Sequence, residues 1–201
     1  MIPDYKHIIE AVLMASEEPL TIKRLSEIFV EDMQRPSTEE IKAALASLQQ
    51  DYTEHSLELI EVASGYCFRI KIDYAKWVTK LWESKPPRYS RTFLETLALI
   101  AYKQPITRAE IEQVRGVATS SQIIKTLIDR NWVKIVGHRD LPGKPALLAT
   151  TNVFLDYFNL KNLADLPSLA QLQDFEKAGE QLEMQLQTEF NLEVAEIPEM
   201  V

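Results

Sequence analysis

The sequence predicts an α+β protein, mainly α-helical, with two winged-helix domains in tandem, each made of three helices, a β-hairpin wing and a closing helix. The apolar pattern of residues 8–28 recurs 86 positions later, at residues 94–114, and both copies place a Pro-Leu-Thr or Pro-Ile-Thr corner at the same point. Each copy then continues with a third helical pattern and two short β-prone segments around a turn.

The helices are predicted from apolar periodicity and from their start signals. Proline ends the first helix of each copy, since the residue before a proline avoids the helical conformation, and the threonine two positions later, Thr21 or Thr107, can cap the second helix. The stretch from Ser37 to Glu40 and the one that begins at Thr107 have the spacing of a capping box. Apolar residues three and four positions apart predict third helices around residues 41–52 and 123–128.

The wings and closing helices follow in each copy. Residues 57–62 and 66–72 are β-prone runs around Ser64-Gly65, which predicts a hairpin, and residues 133–136 and 147–151 flank a longer proline-rich turn. Apolar residues cluster after each hairpin and predict the closing helices, at residues 74–82 and 154–158.

The domain boundaries follow from these elements. Lys85-Pro-Pro-Arg88 reads as the linker, so we expect domains at 1–85 and 86–164 and an acidic tail at 165–201. In the tail, apolar residues among carboxylates fit an amphipathic helix or a disordered segment equally well.

Charge is distributed unevenly among these three parts. Residues 1–85 carry 10 basic and 15 acidic side chains, residues 86–164 carry 11 and 6, and residues 165–201 carry 1 and 9. The second domain alone is basic, which suits either contact with phosphates or attraction of an acidic protein segment.

The third helices do not carry a basic recognition face. Their outward positions are mixed or acidic: Glu39, Lys42, Ala43, Ala46 and Gln49 in the first copy, and Gln122, Lys125 and Asp129 in the second. Arg139 and Lys144 in the second wing could still contact a phosphate backbone. The pattern therefore favours a protein-binding module, with a winged-helix DNA-binding transcriptional regulator as the alternative.

The first helix of each copy is apolar nearly all round, at residues 8–15 and 93–101. A small three-helix domain covers only one side of such a helix, so the remaining face is predicted to pack against the sister domain, a second copy of the chain or a partner segment. For the first copy we expect a homodimer formed through residues 1–85.

The sequence carries no catalytic or metal-binding pattern. It lacks a phosphate-binding glycine loop, its three histidines have no paired ligand spacing, and Cys67 reads as a small core residue, so neither enzymatic activity nor a cofactor is expected. No apolar run reaches the length of a membrane span, and the first residues lack the features of a signal peptide, so we expect a cytoplasmic protein.

The stretch from Glu95 to Gly116, ETLALIAYKQPITRAEIEQVRG, closely resembles the signature of the segregation and condensation protein B family. The resemblance extends through residues 124–127, the wing Val136–Pro145 and residues 150–169, and more loosely through residues 9–20. His138 stands where many relatives have Arg or Lys, and Lys144 takes a place that is often held by Arg. The tail beyond residue 170 matches no family pattern.

The resemblance implies a non-catalytic, nucleoid-associated subunit of the bacterial SMC complex, which acts in chromosome condensation and segregation during cell division. Such a subunit pairs through its first domain and clamps an extended segment of the kleisin, segregation and condensation protein A, which links it to the SMC ATPase; DNA contact is expected to be weak or indirect. Our dimer candidates are Ile8, Val12, Tyr66 and Phe68. Our kleisin candidates are Leu94, Leu97, Ile100, Tyr102, Lys103, Arg108 and Arg115, each with the alternative of being ordinary core or solvated surface.

Overall fold

The computed structural model describes residues 4–30, 35–81 and 89–168. Residues 1–163 form one compact unit and residues 164–201 a second, of which 164–168 are described. The predicted linker at 85–88, the end of the first closing helix at Trp82 and the tail pattern beyond residue 168 lie outside the described residues. Because both halves fall within one compact unit, the boundary at residue 85 stays a prediction.

The first half contains three helices, and the second and third begin where the sequence predicts. They are α1 (Tyr5–Ala15), α2 (Ile22–Ile28) and α3 (Thr38–Asp51). The Thr21 side chain accepts a hydrogen bond from the Arg24 amide, and Ser37 and Glu40 bond reciprocally in a capping box. One face of each helix packs into a core made of Ile9, Leu13, Leu25, Phe29, Ile41, Leu45, Leu48 and Leu59.

The first wing is the antiparallel hairpin of β1 (Leu57–Val62) and β2 (Gly65–Ile70). On its other side, β2 forms a two-way backbone bridge with Leu20, at 2.9 Å in each direction. Gly65 has a φ of +136°, and a Cβ at this position would lie 2.3 Å from the Leu20 carbonyl carbon. Glycine is therefore required where the corner after α1 crosses the hairpin.

The predicted closing helix of the first half is present in pieces. A 3₁₀ turn at Ile72–Tyr74, one α-helical turn, α4 (Ala75–Val78), and a second 3₁₀ turn at Thr79–Leu81 follow β2. Among the described residues of this segment most large apolar side chains are exposed, so they add little packing energy to a longer α-helix, and a short helix by itself is marginal in water.

The second half repeats the order and adds a short strand. The helices are α5 (Arg91–Lys103), α6 (Arg108–Arg115), α7 (Ser121–Asp129) and α8 (Asn152–Tyr157); the strands are β3 (Ile106–Thr107), β4 (Val133–His138) and β5 (Ala146–Thr150). The sheet order is β3-β5-β4, with β5 in the centre. The sequence pattern did not predict β3, because two residues show no period.

The turn of the first hairpin contacts the segment around α8. The Ala63 amide donates to the Leu160 carbonyl at 3.1 Å, and the Ser64 amide donates to Asp156 Oδ1 at 2.9 Å. The Lys161 ammonium lies 2.6 Å from a Glu61 carboxylate oxygen. These contacts join the two halves within the compact unit.

Candidate protein-binding surfaces

Among the described residues of the first half, the most exposed large apolar side chains lie at the end of β2 and in the segment that follows it. Within the twelve residues 70–81, which we call the apolar strap, Ile72 is 82% exposed, Leu81 79% and Trp77 61%, and Ile70 and Tyr74 are also exposed. Single exposed apolar residues are common, but five large ones in one short segment indicate an interaction surface. Sequence reasoning assigned this spacing to a packed helix; the lysines interleaved with it at 71, 76 and 80 were the signal of exposure.

The four dimer candidates are placed differently from the strap. Ile8, Val12, Tyr66 and Phe68 are half-buried, and all four pack against the core of the first half. Phe68 lies with its ring centroid 4.7 Å from that of Tyr52. Their apolar surface is thus largely used within the chain, and their role in pairing stays a prediction.

The burial of its side chains shows which face of α5 packs against the core of the second half. Leu97 is 3% exposed and Ile100 is fully buried, so both side chains belong to the core of the second half, which is the alternative that the sequence left open for them; their part in kleisin binding stays a prediction. A helix that is apolar all round does not reveal which face its own domain covers. Leu94, one turn earlier on the same helix, is 45% exposed and remains available to a partner.

The two predicted arginines, Arg108 and Arg115, differ in how fully their charges are paired within the chain. The side chain of Arg115 is 7% exposed and lies 3.3 Å from a Glu95 carboxylate oxygen, so its charge is largely used within the chain. Arg108 is exposed, but it donates to Glu112 at 2.9 Å and to the Ser121 hydroxyl at 2.7 Å. The Thr119 amide and Arg108 together lower the pKa of the Glu112 carboxyl. A partner carboxylate must therefore compete with Glu112 for Arg108.

One concave surface of the second half lies between α6 and the wing. This hollow, of about 500 Å³, is lined by Lys103, Pro105, Ile106, Glu110, Gln113, Val114 and Arg139, and we call it the α6 groove. Val114 is 51% exposed, and Lys103 is exposed at the rim. Tyr102 is half-buried beside Lys103 in the chain. Of the kleisin candidates, the structure brings only Lys103 into this groove.

The wing residues proposed as phosphate contacts are also placed. Arg139 lies 2.5 Å from a Glu110 carboxylate oxygen, while Lys144 is exposed and lines an open hollow of about 460 Å³ with His138 and Asp140. The pKa of Glu110 is lowered, chiefly by hydrogen bonds from Thr107 and further by Arg139. The carboxylate of Glu110 is therefore ionised at neutral pH and reduces the attraction of Arg139 for a phosphate.

The outward positions predicted for the third helices are confirmed. All eight side chains on these faces of α3 and α7 are exposed, and they present near-balanced charge rather than a basic stripe. A recognition helix that relied on phosphate attraction would need a positive face.

Within residues 4–30, 35–81 and 89–168, no group of histidine, cysteine or carboxylate side chains has the arrangement of a metal site. No helix in those ranges has the length and apolar character needed to cross a bilayer. Cys67 is half-buried in β2, and burial raises the pKa of its thiol, which makes it a poor nucleophile at neutral pH.

The order of helices and strands and the sheet order β3-β5-β4 define the class: a tandem winged-helix protein whose notable surfaces are apolar. A family model described as "Segregation and condensation complex subunit ScpB" matches residues 7–169. The chain therefore belongs to the ScpB family, as the sequence resemblance implied.

Similar proteins agree with this assignment. The chain is 57% identical over 182 residues to the segregation and condensation protein B homolog of Coxiella burnetii, covering 90% of this chain and 86% of that protein. It is 40% identical over 181 residues to segregation and condensation protein B of Syntrophotalea carbinolica, covering 89% of each.

Solved structures with similarity include ScpB from Mycobacterium tuberculosis, at 28% identity and a TM-score of 0.35, covering 78% of this chain and 95% of that one. A dimer of the ScpB N-terminal domain complexed with an ScpA peptide matches at 25% identity and a TM-score of 0.36, covering 43% of this chain and 100% of that one. With TM-scores this low, family membership rests on the sequence.

Proposed function

We propose that this chain is a non-catalytic subunit of the SMC–kleisin complex that pairs with a second copy through its first half and holds an extended segment of the kleisin through its second half. The observation that carries the proposal is the apolar strap, because five exposed large apolar side chains on a member of this family call for a protein partner. The kleisin is segregation and condensation protein A, and the chain reaches the SMC ATPase only through it.

The charge of the strap, as well as its exposed apolar side chains, makes it suitable for contact with a second copy of the chain. Residues 1–69 carry 6 basic and 13 acidic side chains, whereas residues 70–81 carry three lysines and one aspartate. A basic apolar segment is thus complementary to the acidic remainder of the first half of a neighbouring copy. Ile8, Val12, Tyr66 and Phe68 remain proposed dimer contacts through the part of their surface that the core of the first half leaves uncovered.

The kleisin surface is proposed to combine the α6 groove with the exposed face of α5. Val114 and Pro105 give the groove apolar contacts, Lys103 gives it an exposed positive rim, and Leu94 adds apolar area. An acidic and apolar peptide fits such a surface, because apolar contacts supply affinity and charge supplies orientation. Arg108 contributes if it exchanges Glu112 for a partner carboxylate.

Direct DNA contact is proposed to be weak. Arg139 is engaged by Glu110, and the faces of α3 and α7 are not basic, so few phosphates would be neutralised. Association with the nucleoid then comes through the complex rather than through sequence reading by this chain.

The test of pairing is light scattering on the full chain. At about 50 µM, where an ordinary specific dimer is saturated, the chain should run as a dimer. Replacement of Ile72 or Leu81 by aspartate should give a folded monomer, while Leu141→Asp, a comparably exposed site at the wing tip, should leave the dimer intact. A monomeric wild-type chain at this concentration would contradict the pairing.

The test of the kleisin surface is calorimetry with the recombinant middle segment of segregation and condensation protein A. Lys103→Glu and Val114→Asp should weaken binding by about tenfold or more without changing the melting temperature, as expected for exposed contact residues. Lys125→Glu, on the outward face of α7, is the control and should bind normally. If the chain instead bound one duplex DNA sequence preferentially and with a steep salt dependence, that result would favour the alternative function, a winged-helix DNA-binding transcriptional regulator.

A further inference from the structure

A hollow of about 440 Å³ borders the apolar strap and is lined from both halves of the chain. Its lining includes Arg69, Ile70, Ile72, Ala75, Val78 and, from the second half, Asn159. The lining is mostly apolar, and the guanidinium of Arg69 lies 2.8 Å from a Glu58 carboxylate oxygen. This strap hollow therefore offers an apolar seat in which the charge of Arg69 is already paired.

Two lysines flank the strap hollow in the chain. Lys76 follows Ala75 of the lining, and Lys80 follows Thr79, which also lines the hollow. Both lysines are exposed, and neither is ion-paired with a carboxylate of the described residues. An occupant with an apolar tip and negative charge close to it is complementary to such a surface.

The end of α1 has both of these features. Outside the strap, the described part of the first half exposes three large apolar side chains: Met14, Ile28 and Val30. Met14, which is 44% exposed, lies in the last turn of α1 and is followed closely by Glu17 and Glu18. Both glutamates are exposed, and neither is ion-paired with a described lysine or arginine. An apolar side chain and two available carboxylates thus lie within five residues.

The electrostatics of this helix end favour a cation from outside. A helix C-terminus carries partial negative charge, and the last turn of α1 contains no basic residue to offset it. Glu17 and Glu18 add negative charge at the same end. The turn that holds them is itself fixed, because the Ser16 hydroxyl donates to the Glu18 carbonyl at 2.6 Å and accepts from the Glu18 amide at 3.3 Å. A fixed turn lowers the ordering cost of binding.

We propose that in the homodimer Met14 of each copy enters the strap hollow of the other, with Glu17 and Glu18 beside Lys76 and Lys80. The inference rests on the proposed function and deepens it, since it names the two surfaces through which the copies pair. In a two-fold pair each copy offers both surfaces, so the contact forms twice. Methionine suits an irregular apolar hollow because its side chain is unbranched and flexible.

Charge reversal on each side of the contact tests the proposal in the full chain. One variant carries Glu17→Lys with Glu18→Lys, and a second carries Lys76→Glu with Lys80→Glu. By sedimentation equilibrium each variant alone should pair about tenfold more weakly than wild type or worse, because like charges meet twice in the dimer. Mixed in equal amounts, the two variants should form heterodimers about as tightly as wild type pairs, since both contacts again join opposite charges.

A control variant with the same change in net charge carries Glu39→Lys with Glu54→Lys, at two other exposed carboxylates, and should pair like wild type. A wild-type dimer that charge reversal leaves unchanged, or that mixing does not restore, would overturn the inference and leave the proposed pairing standing. A monomeric wild type would overturn both. Reversal at Lys76 and Lys80 that weakened calorimetric binding of the kleisin middle segment but not pairing would assign the hollow to the kleisin and overturn the inference.

Variants of Met14 test the apolar part of the contact. Met14→Ala should weaken pairing by about tenfold, because the contact occurs twice, and should leave the melting temperature unchanged, because the side chain is exposed. Met14→Leu nearly keeps the volume of the side chain and should pair like wild type. Val30→Ala, at another exposed apolar residue outside the strap, should have no effect. Pairing that Met14→Ala leaves intact would contradict the seat in the hollow.

Discussion

Ile100→Ala is the perturbation that most directly tests the placement of α5. The side chain is fully buried, so the substitution removes three carbon atoms from the core of the second half. At about 0.8 kcal/mol for each buried carbon the lost transfer free energy is about 2.4 kcal/mol, and an incompletely collapsed cavity raises the total to about 3–4 kcal/mol. For a cooperative unit of this size that lowers the melting temperature by about 10 °C.

The assay is guanidinium unfolding of the full chain followed by circular dichroism, with kleisin calorimetry on the same samples. Leu94→Ala is the matched control, because Leu94 is on the same helix and 45% exposed; its unfolding free energy should fall by less than about 1 kcal/mol. An Ile100→Ala variant within about 0.5 kcal/mol of wild type would refute the assignment of this residue to the core and return it to the candidate kleisin surface.

Three further outcomes are expected from the structure. Gly65→Ala should lower the unfolding free energy by about 3 kcal/mol or more because of the backbone clash and positive φ, whereas Gly143→Ala, with nothing within 4 Å, should cost about 1 kcal/mol by chemical denaturation. The folded state lowers the pKa of the Glu110 carboxyl below its usual 4.5, so the ionised carboxylate stabilises the fold above that pH. This stabilisation is lost as the pH falls through the lowered pKa. The difference in melting temperature between wild type and Glu110→Ala should therefore shrink on acidification. Asp156→Ala should speed amide exchange at Ser64, and unchanged exchange would show that this hydrogen bond does not hold the hairpin turn.

Much of the fold was predictable because its signals are local. The capping boxes that begin α3 and α6 depend on residues three positions apart, and both are present as predicted. The β1–β2 hairpin was likewise predictable from two β-prone runs and a glycine turn. The strand β3 was missed because its two residues pair with β5, about forty positions later in the chain.

The candidate surfaces were predictable only in part. The sequence showed that the third helices lack a basic face and that the first helices are too apolar for one small domain, which was enough to favour a protein partner over DNA reading. It could not show that Leu94 is exposed while Leu97 and Ile100 are buried, because burial depends on packing partners far away in the chain. Nor could it show that Arg115 forms an ion pair with Glu95.

The amino-acid order by itself thus determined the repeat and the family, which are patterns of residues, and the helix starts and hairpins, which depend on local interactions. Tertiary packing decided which apolar side chains remain at the surface. Large apolar side chains of the apolar strap stay exposed, the turn of the first hairpin is bonded to the segment around α8, and α5 buries Leu97 and Ile100 but not Leu94. Exposure is a property of the whole folded chain, since a residue is buried only when other segments, often distant in sequence, exclude water from it.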